Sequence, residues 1–348
     1  MTQAKNGGGN RQIVLAARPD PAVSESCFRL EEAARPSPGE GELLTRALYL
    51  SIDPAMRGWI AAGPNYSEPV ALGAPMRSLA LSQVIESRHP DYAAGELVYR
   101  WQGWQDYALS DGGDIDLKVD ADALHKAGAP LSAACHLLGI TGLTGYLGLT
   151  LIGAPQPGET VAVSTAAGGV GSVVGQAAKN LACRTLGLTG SDDKVKTCLE
   201  EFGYDAAINY KSAEDLDAAV AAAAPQGIDI YFDNTGGAIS DAVMPHLNLG
   251  ARVVVCGTMG IAGKAEGPRY NRHILVKRAK MQGFLIFDHK ARFAAATQTL
   301  LSWIAEGRLT GREDITEGLE NAPQALLRLL AGGNRGKMLV KLAEQARA

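Results

Sequence analysis

Clustered cysteines are missing from this chain. Its five, Cys27, Cys135, Cys183, Cys198 and Cys256, are scattered and odd in number, which excludes a disulfide framework and fits reduced thiols buried as small apolar side chains. No CxxC pair and no converging set of Cys, His and carboxylate is present, so the sequence offers neither a structural nor a catalytic zinc site. Cys135 and His136 are adjacent, face two directions on a predicted helix, and read as packing. The net charge is −4, and no block of lysine or arginine is long enough to serve as a nucleic-acid or anionic-membrane patch. With 46% hydrophobic residues, no apolar run approaches the length that spans a bilayer. The start, Met1 to Asn10, is polar and glycine-rich rather than basic and then apolar, which is no secretory signal. The expected location is the cytoplasm.

What is present centres on Val161 to Gly175, which reads as a strand, a tight small-residue turn and a helix start in succession. Gly168 and Gly171 let backbone approach a pyrophosphate, and the N–H groups and positive dipole end of the next helix face that anion. Ala166 stands in the place of the usual first glycine, giving AxGxxG. Further strands are predicted at Arg184 to Gly190, Ala206 to Tyr210, Ile228 to Asn234, Arg252 to Gly257 and Met281 to Phe287, with helices at Ser172 to Leu181, Asp192 to Phe202 and Ala213 to Ala224. This alternation requires a doubly wound parallel sheet, an α/β Rossmann domain.

The 348 residues leave room for a second domain. Residues 1–10 read as a flexible tail. Short alternating stretches from Ile13 to about Leu109 (Gln12 to Ala16, Glu42 to Leu50, Leu79 to Glu86, Glu96 to Tyr99, Trp104 to Leu109) predict a β-rich barrel-like domain. Leu131 to Leu151 reads as helical, and Lys290 to Glu306 as an amphipathic helix. The last strand, Lys337 to Leu342, fits neither crossover pattern and returns to the first domain. The expected division is therefore 11–130 plus 311–348 for a discontinuous barrel and 131–310 for the inserted cofactor domain.

By its motifs the chain resembles the zinc-independent medium-chain dehydrogenase/reductases, in the branch of leukotriene B4 dehydrogenase, prostaglandin reductase and bacterial curcumin reductase. The carriers are Asn10 to Pro19, Leu50 to Gly58, Gly103 to Tyr107, the glycine turn, Phe232 to Gly237, Met281 to Phe284 and Gly318 to Pro323. The resemblance implies a GroES-like barrel carrying the Rossmann domain, NADPH as cofactor, and reduction of the carbon–carbon double bond of enones and enals. It also implies cofactor contacts from Ala167, Gly168, Gly169, Val170, Gly171, Cys256, Gly257, Phe284 and Leu285. A homodimer through the edge strand of the cofactor sheet is common in the superfamily.

The second strand ends in Leu188-Thr189-Gly190, where an NAD enzyme places a carboxylate, so nothing there repels a 2′-phosphate. Lys194 and Tyr210 match the family's phosphate positions, with a solvated helix lysine as the alternative for Lys194. Asn234 and Asn334 match residues near the nicotinamide, or serve as a turn cap and an ordinary turn. Asp53 and Arg57 read as an ion pair at the domain junction or as substrate contacts. Tyr66 is the loop aromatic that matches the family's substrate cleft, or an exposed loop tyrosine, and Tyr270 is the second candidate proton donor. Phe287 and Ala262 stand where prostaglandin reductase relatives carry tyrosines, which leaves the proton donor open. A quinone reductase and an NADPH-binding protein without turnover are the rival readings.

Overall fold

A computed structural model describes residues 9–63, 66–261, 267 and 269–346. The tail through residue 8, Pro64, Asn65 and Ala262 lie outside the described residues. The tail reading needs correction at its end, because Gly9 and Asn10 already belong to the first strand and Asn10 is buried, its amide donating to the Tyr107 carbonyl at 2.9 Å.

The first part of the chain forms strands β1 (Gly9–Leu15), β2 (Phe28–Ala34), β3 (Leu43–Ser51), β4 (Leu79–Ser87), β5 (Leu97–Trp101), β6 (Tyr107–Ser110) and β7 (Ile115–Val119). The middle supplies β8 (Thr160–Ser164), β9 (Arg184–Thr189), β10 (Ala206–Asn209), β11 (Ile228–Asp233), β12 (Leu247–Val255) and β13 (Lys280–Gly283). The end adds β14 (Glu313–Glu317) and β15 (Lys337–Lys341). β1 and β2 form an antiparallel hairpin, and a seven-stranded sheet runs β14-β15-β3-β4-β5-β7 with β6 against β3. β15 is antiparallel to β3, so the chain's end returns to the sheet built by its beginning, as read from the sequence. Ile13, Leu50, Met56, Trp59, Trp104, Leu326 and Met338 form the core of this half.

The other sheet has the order β10-β9-β8-β11-β12-β13, every neighbouring pair parallel. β8 is buried at all five positions, which follows from helices covering both faces of a parallel sheet. Crossover helices lie at Gly171–Asn180, Asp192–Glu200 and Leu216–Ala223, and the last two are capped by the Ser191 hydroxyl and the Asp215 carboxylate. Strand order reverses between β8 and β11, the point at whose carboxyl edge ligands collect.

Two expected elements change. The stretch Leu131 to Leu151 is a short 3-10 turn (Leu131–Cys135), a break, and a helix at Ile140–Gly148. Chain compaction explains the break, since a Cβ on Gly142 would stand 1.8 Å from the Leu137 carbonyl oxygen and one on Gly139 2.6 Å from that of Ala134. The sixth parallel strand ends at Gly283, and Ile286–Arg292 winds into a 3-10 turn that brings Phe287 onto Trp101 at 5.4 Å between ring centroids. β2, β7 and β14 have no counterpart among the predicted strands.

Candidate active site

The glycine turn is built by contact rather than by unusual glycine torsions. Thr165 takes the left-handed conformation at φ 56°, and its carbonyl accepts the Gly168 N–H at 2.9 Å. A Cβ on Gly171 would stand 2.4 Å from that same oxygen and 2.8 Å from the Ala166 Cα, so this position excludes any side chain. Ala166 itself touches Gly187 of β9: a Cβ there would lie 2.9 Å from the Ala166 methyl. The helix start at Gly171 therefore packs tightly on the sheet, with Ala167, Gly168, Gly169 and Val170 forming the loop at the switch point.

At the end of β9, the place of a Cβ on Gly190 is 2.8 Å from the Tyr210 hydroxyl and 3.3 Å from the Lys211 Cε. The Lys194 ammonium crosses to the other half and donates to the Gly332 carbonyl at 2.7 Å. Burial and then the neighbouring Lys211 charge hold its pKa below the usual lysine range. Tyr210 and Lys211 thus lie at the end of β9, with Lys194 in the first turn of the helix that follows it and no acidic residue between Leu188 and Gly190. Lys211 was not singled out from the sequence; its signal was adjacency to Tyr210.

On the other side of the switch point, Asn234 donates its side-chain amide to the Ser164 carbonyl at 2.7 Å and its backbone N–H to the Ser164 hydroxyl at 2.7 Å. Buried Asp233 organises this end, accepting from the Tyr231 and Ser240 hydroxyls and from the Thr235 and Gly236 N–H groups. Gly257 crosses Asn234 so closely that a Cβ would stand 2.2 Å from the Asn234 carbonyl oxygen. Beside it the Cys256 thiol is pushed up to about 12 by burial, then by the Asp233 charge, and is protonated at neutral pH. Phe284 is buried, stacks on His289 at 5.1 Å and is followed by half-buried Leu285. Asn334 is buried and donates to the Gly336 carbonyl at 2.7 Å, next to residues that share a cavity with Ala167 and Lys194.

Tyr66 comes from the first half. Its hydroxyl oxygen accepts the Trp59 indole N–H at 2.9 Å, and it lies close enough to Asp53 and Arg77 for their charges to act on it. Tyr66 is 52% exposed, as the loop-tyrosine alternative has it, and the covering of the rest of the ring raises its pKa above the ordinary tyrosine value. From Trp59 an aromatic row continues to Trp101 at 5.6 Å and on to Phe287. Tyr270 is placed differently, donating to the Asp241 carboxylate at 2.5 Å among the residues packed under the parallel sheet. Burial and that carboxylate push its pKa up, making it a poor acid.

The junction between the halves departs from the expected Asp53–Arg57 pair. Asp53 instead accepts from the Lys337 ammonium at 2.7 Å and from the Ser51 hydroxyl at 2.5 Å, while Lys337 also donates to the Ile52 carbonyl at 2.8 Å. Among the described residues, Arg57 has no carboxylate at ion-pair distance. The helix that holds Arg57 starts only at Met56, after Asp53. The Lys337 methylenes cover Gly169, where a Cβ would come within 3.0 Å of them. Beside them His136 is fully buried, with its Nδ1 3.9 Å from Glu313; burial lowers its pKa to about 3 and keeps it neutral.

Two family profiles match the chain: one described as the N-terminal domain of oxidoreductase over residues 11–117, the other as zinc-binding dehydrogenase over residues 169–305. The zinc in the second description does not fit the donors here. Among the described residues no three His, Cys, Asp or Glu side chains gather as a metal ion requires, and the Cys135 thiol is turned to the Tyr49 carbonyl with its pKa raised by burial. The chain is 41% identical over 342 residues to the NADPH-dependent curcumin reductase of Escherichia coli, covering 96% of this chain and 97% of that protein. It is 35% identical to the NADP-dependent 2-alkenal reductase of Nicotiana tabacum, covering 97% and 98% of the two chains. The crystal structure of CurA from Vibrio vulnificus in complex with NADPH superposes with a TM-score of 0.89 at 40% identity, over 96% of this chain and 99% of that one. The chain therefore belongs to the medium-chain dehydrogenase/reductases, as an NADP-dependent oxidoreductase of the group that contains these reductases.

Proposed function

We propose that this protein uses NADPH to reduce the carbon–carbon double bond of α,β-unsaturated ketones or aldehydes, without a metal. The observation that carries this reading is Tyr66, whose hydroxyl accepts the Trp59 indole N–H in the first half, at the head of the aromatic row Trp59, Trp101 and Phe287 that runs to the end of the parallel sheet. Ala167 to Gly171, Lys194, Tyr210, Asn234, Cys256, Gly257, Phe284, Leu285 and Asn334 would hold the cofactor. When bound, NADPH supplies a hydride, which goes to the β carbon of the substrate. The chain's own task is then the proton and the enolate oxygen. Tyr66 donates a hydrogen bond to that oxygen as its charge develops, and Trp59, Trp101 and Phe287 keep water from the face of the double bond. Tyr270, engaged with Asp241, is the weaker candidate.

Residues 11–130 with 311–348 and residues 131–310 would act as the two working domains. The exposed strand β13, flanked by Leu249, Leu275 and Val276 at 63%, 76% and 53% exposure, supports a homodimer through that edge. Free cysteines, four of five buried, support a cytoplasmic location. Phe287 against Trp101 also favours a flat quinone as an alternative substrate. The test offers enones, enals and quinones with NADPH deuterated at the transferred position. Deuterium on the β carbon of the saturated product is expected. Quinol production alone selects the quinone reading, and no oxidation of NADPH with any of them leaves only a binding protein.

A further inference from the structure

Ala167 of the glycine turn, Lys194 and Arg312 share a cavity of about 390 Å³ with Asp193, Arg335 and Gly336. Arg312 is already bound to Glu201 at 2.5 Å. Lys196, also at the cavity wall, lies 3.8 Å from Glu200 on its own helix. The cavity's other two cations, Lys194 and Arg335, come from different halves of the molecule. Lys194 and Asp193 open the helix Asp192–Glu200 that follows β9, whereas Gly332 and Arg335 lie in the loop leading into β15. Two contacts cross between these segments in opposite senses: Lys194 to the Gly332 carbonyl at 2.7 Å, and Arg335 to the Asp193 carboxylate at 3.3 Å.

We infer that Arg335 is a further ligand of the cofactor's 2′-phosphate, supplied by the barrel half, and that Asp193 holds its place until the phosphate arrives. This rests on the NADPH reading above. The Arg335–Asp193 pair has side chains 69% and 80% exposed, so water screens it and its loss costs little. A guanidinium fork binds a dianionic phosphate through two parallel hydrogen bonds, which a single exposed carboxylate at 3.3 Å does not match. Lys194 carries a like charge beside Lys211, a repulsion that a phosphate relieves. Cofactor choice is therefore read from both halves at once: the phosphate ties the loop before β15 to the helix after β9, and NADH, lacking it, leaves them joined only by the exchangeable contacts.

The test is titration calorimetry on the full chain with NADPH, NADH and 2′,5′-ADP, a probe that carries the ribose phosphate without the nicotinamide. Arg335→Gln should weaken NADPH and 2′,5′-ADP about tenfold and leave NADH unchanged. Asp193→Asn, which removes the competing carboxylate, should tighten the two phosphorylated ligands and leave NADH unchanged. Equal losses for NADPH and NADH in Arg335→Gln, or no loss, overturn the inference. A wild-type protein that binds NADH as tightly as NADPH overturns the cofactor reading itself. A wild type that prefers NADPH, with the preference intact in Arg335→Gln, overturns this inference alone.

Discussion

Lys337 and Asp53 are 284 residues apart in sequence and 2.7 Å apart in space, both buried. The pair joins the start of β15 to the turn after β3, and the lysine methylenes press on Gly169. Barrel and cofactor turn are thus braced by one side chain.

Removing one partner leaves the other charged and buried. Lys337→Met should cost about 3–5 kcal/mol in urea unfolding, and adding Asp53→Asn should recover part of the loss. Equal stability of the single and double variants would show that the charge is not what Asp53 contributes.

Cofactor preference should follow Lys194. A charge-assisted phosphate contact contributes about 1.5–3 kcal/mol, so Lys194→Ala should weaken NADPH roughly 10- to 150-fold and spare NADH. Equal loss for both cofactors in a binding titration would assign Lys194 to the helix alone.

Proton delivery should depend on Tyr66. Positioned acid catalysis is worth about 10² to 10⁴ in rate, so Tyr66→Phe should lower kcat at least about tenfold with NADPH affinity unchanged. Unchanged kcat would give the proton to water or to a cofactor hydroxyl.

Gly175 illustrates an override of helix propensity. Alanine in a helix interior normally gains up to about 1 kcal/mol over glycine, but here its Cβ would stand 2.1 Å from the Tyr204 ring, whose hydroxyl bonds the Gly171 carbonyl. Gly175→Ala should therefore lower the thermal midpoint, by an overpacking cost of about 1–3 kcal/mol. A raised midpoint would mean that Tyr204 moves aside freely.

His136 gives the stability a pH dependence. Its folded pKa of about 3 lies below its ordinary 6.5, so the unfolded chain takes up the proton first and stability falls as pH drops below 6.5. The slope approaches about 1.4 kcal/mol per pH unit. Glu313, raised by burial, acts in the opposite sense, so the histidine's share below pH 6.5 is read by comparison with a variant that lacks it. His136→Gln should flatten thermal midpoint against pH in that range; an unchanged curve would trace the slope to other groups.

The parallel sheet was legible because its central strands are short apolar runs buried on both faces, as in Val161 to Ser164, and because small residues mark the turn. β2 and β14 were not, since Phe28–Ala34 and Glu313–Glu317 are half-exposed edge segments rich in charge. The break at His136 to Gly139 was hidden because it is set by backbone contacts between residues that each tolerate a helix. The positions of Lys194 and Tyr210 around the end of β9 were readable from their place after strands. The Asp53–Lys337 pair, formed across almost the whole chain, has no local signature.

Because β15 is antiparallel to β3 and lies between β3 and β14, the order of synthesis differs from the order of assembly. On the ribosome, β3 emerges early and waits for a neighbour encoded nearly three hundred residues later, while the six-stranded parallel sheet has all its strands once Gly283 is out. The inserted sheet is thus able to finish first, and Leu48 and Leu50 stay uncovered on that side until the last strand arrives. A stalled or truncated chain ending before Lys337 would carry a complete parallel sheet beside an open barrel edge, the state most exposed to aggregation and to chaperones.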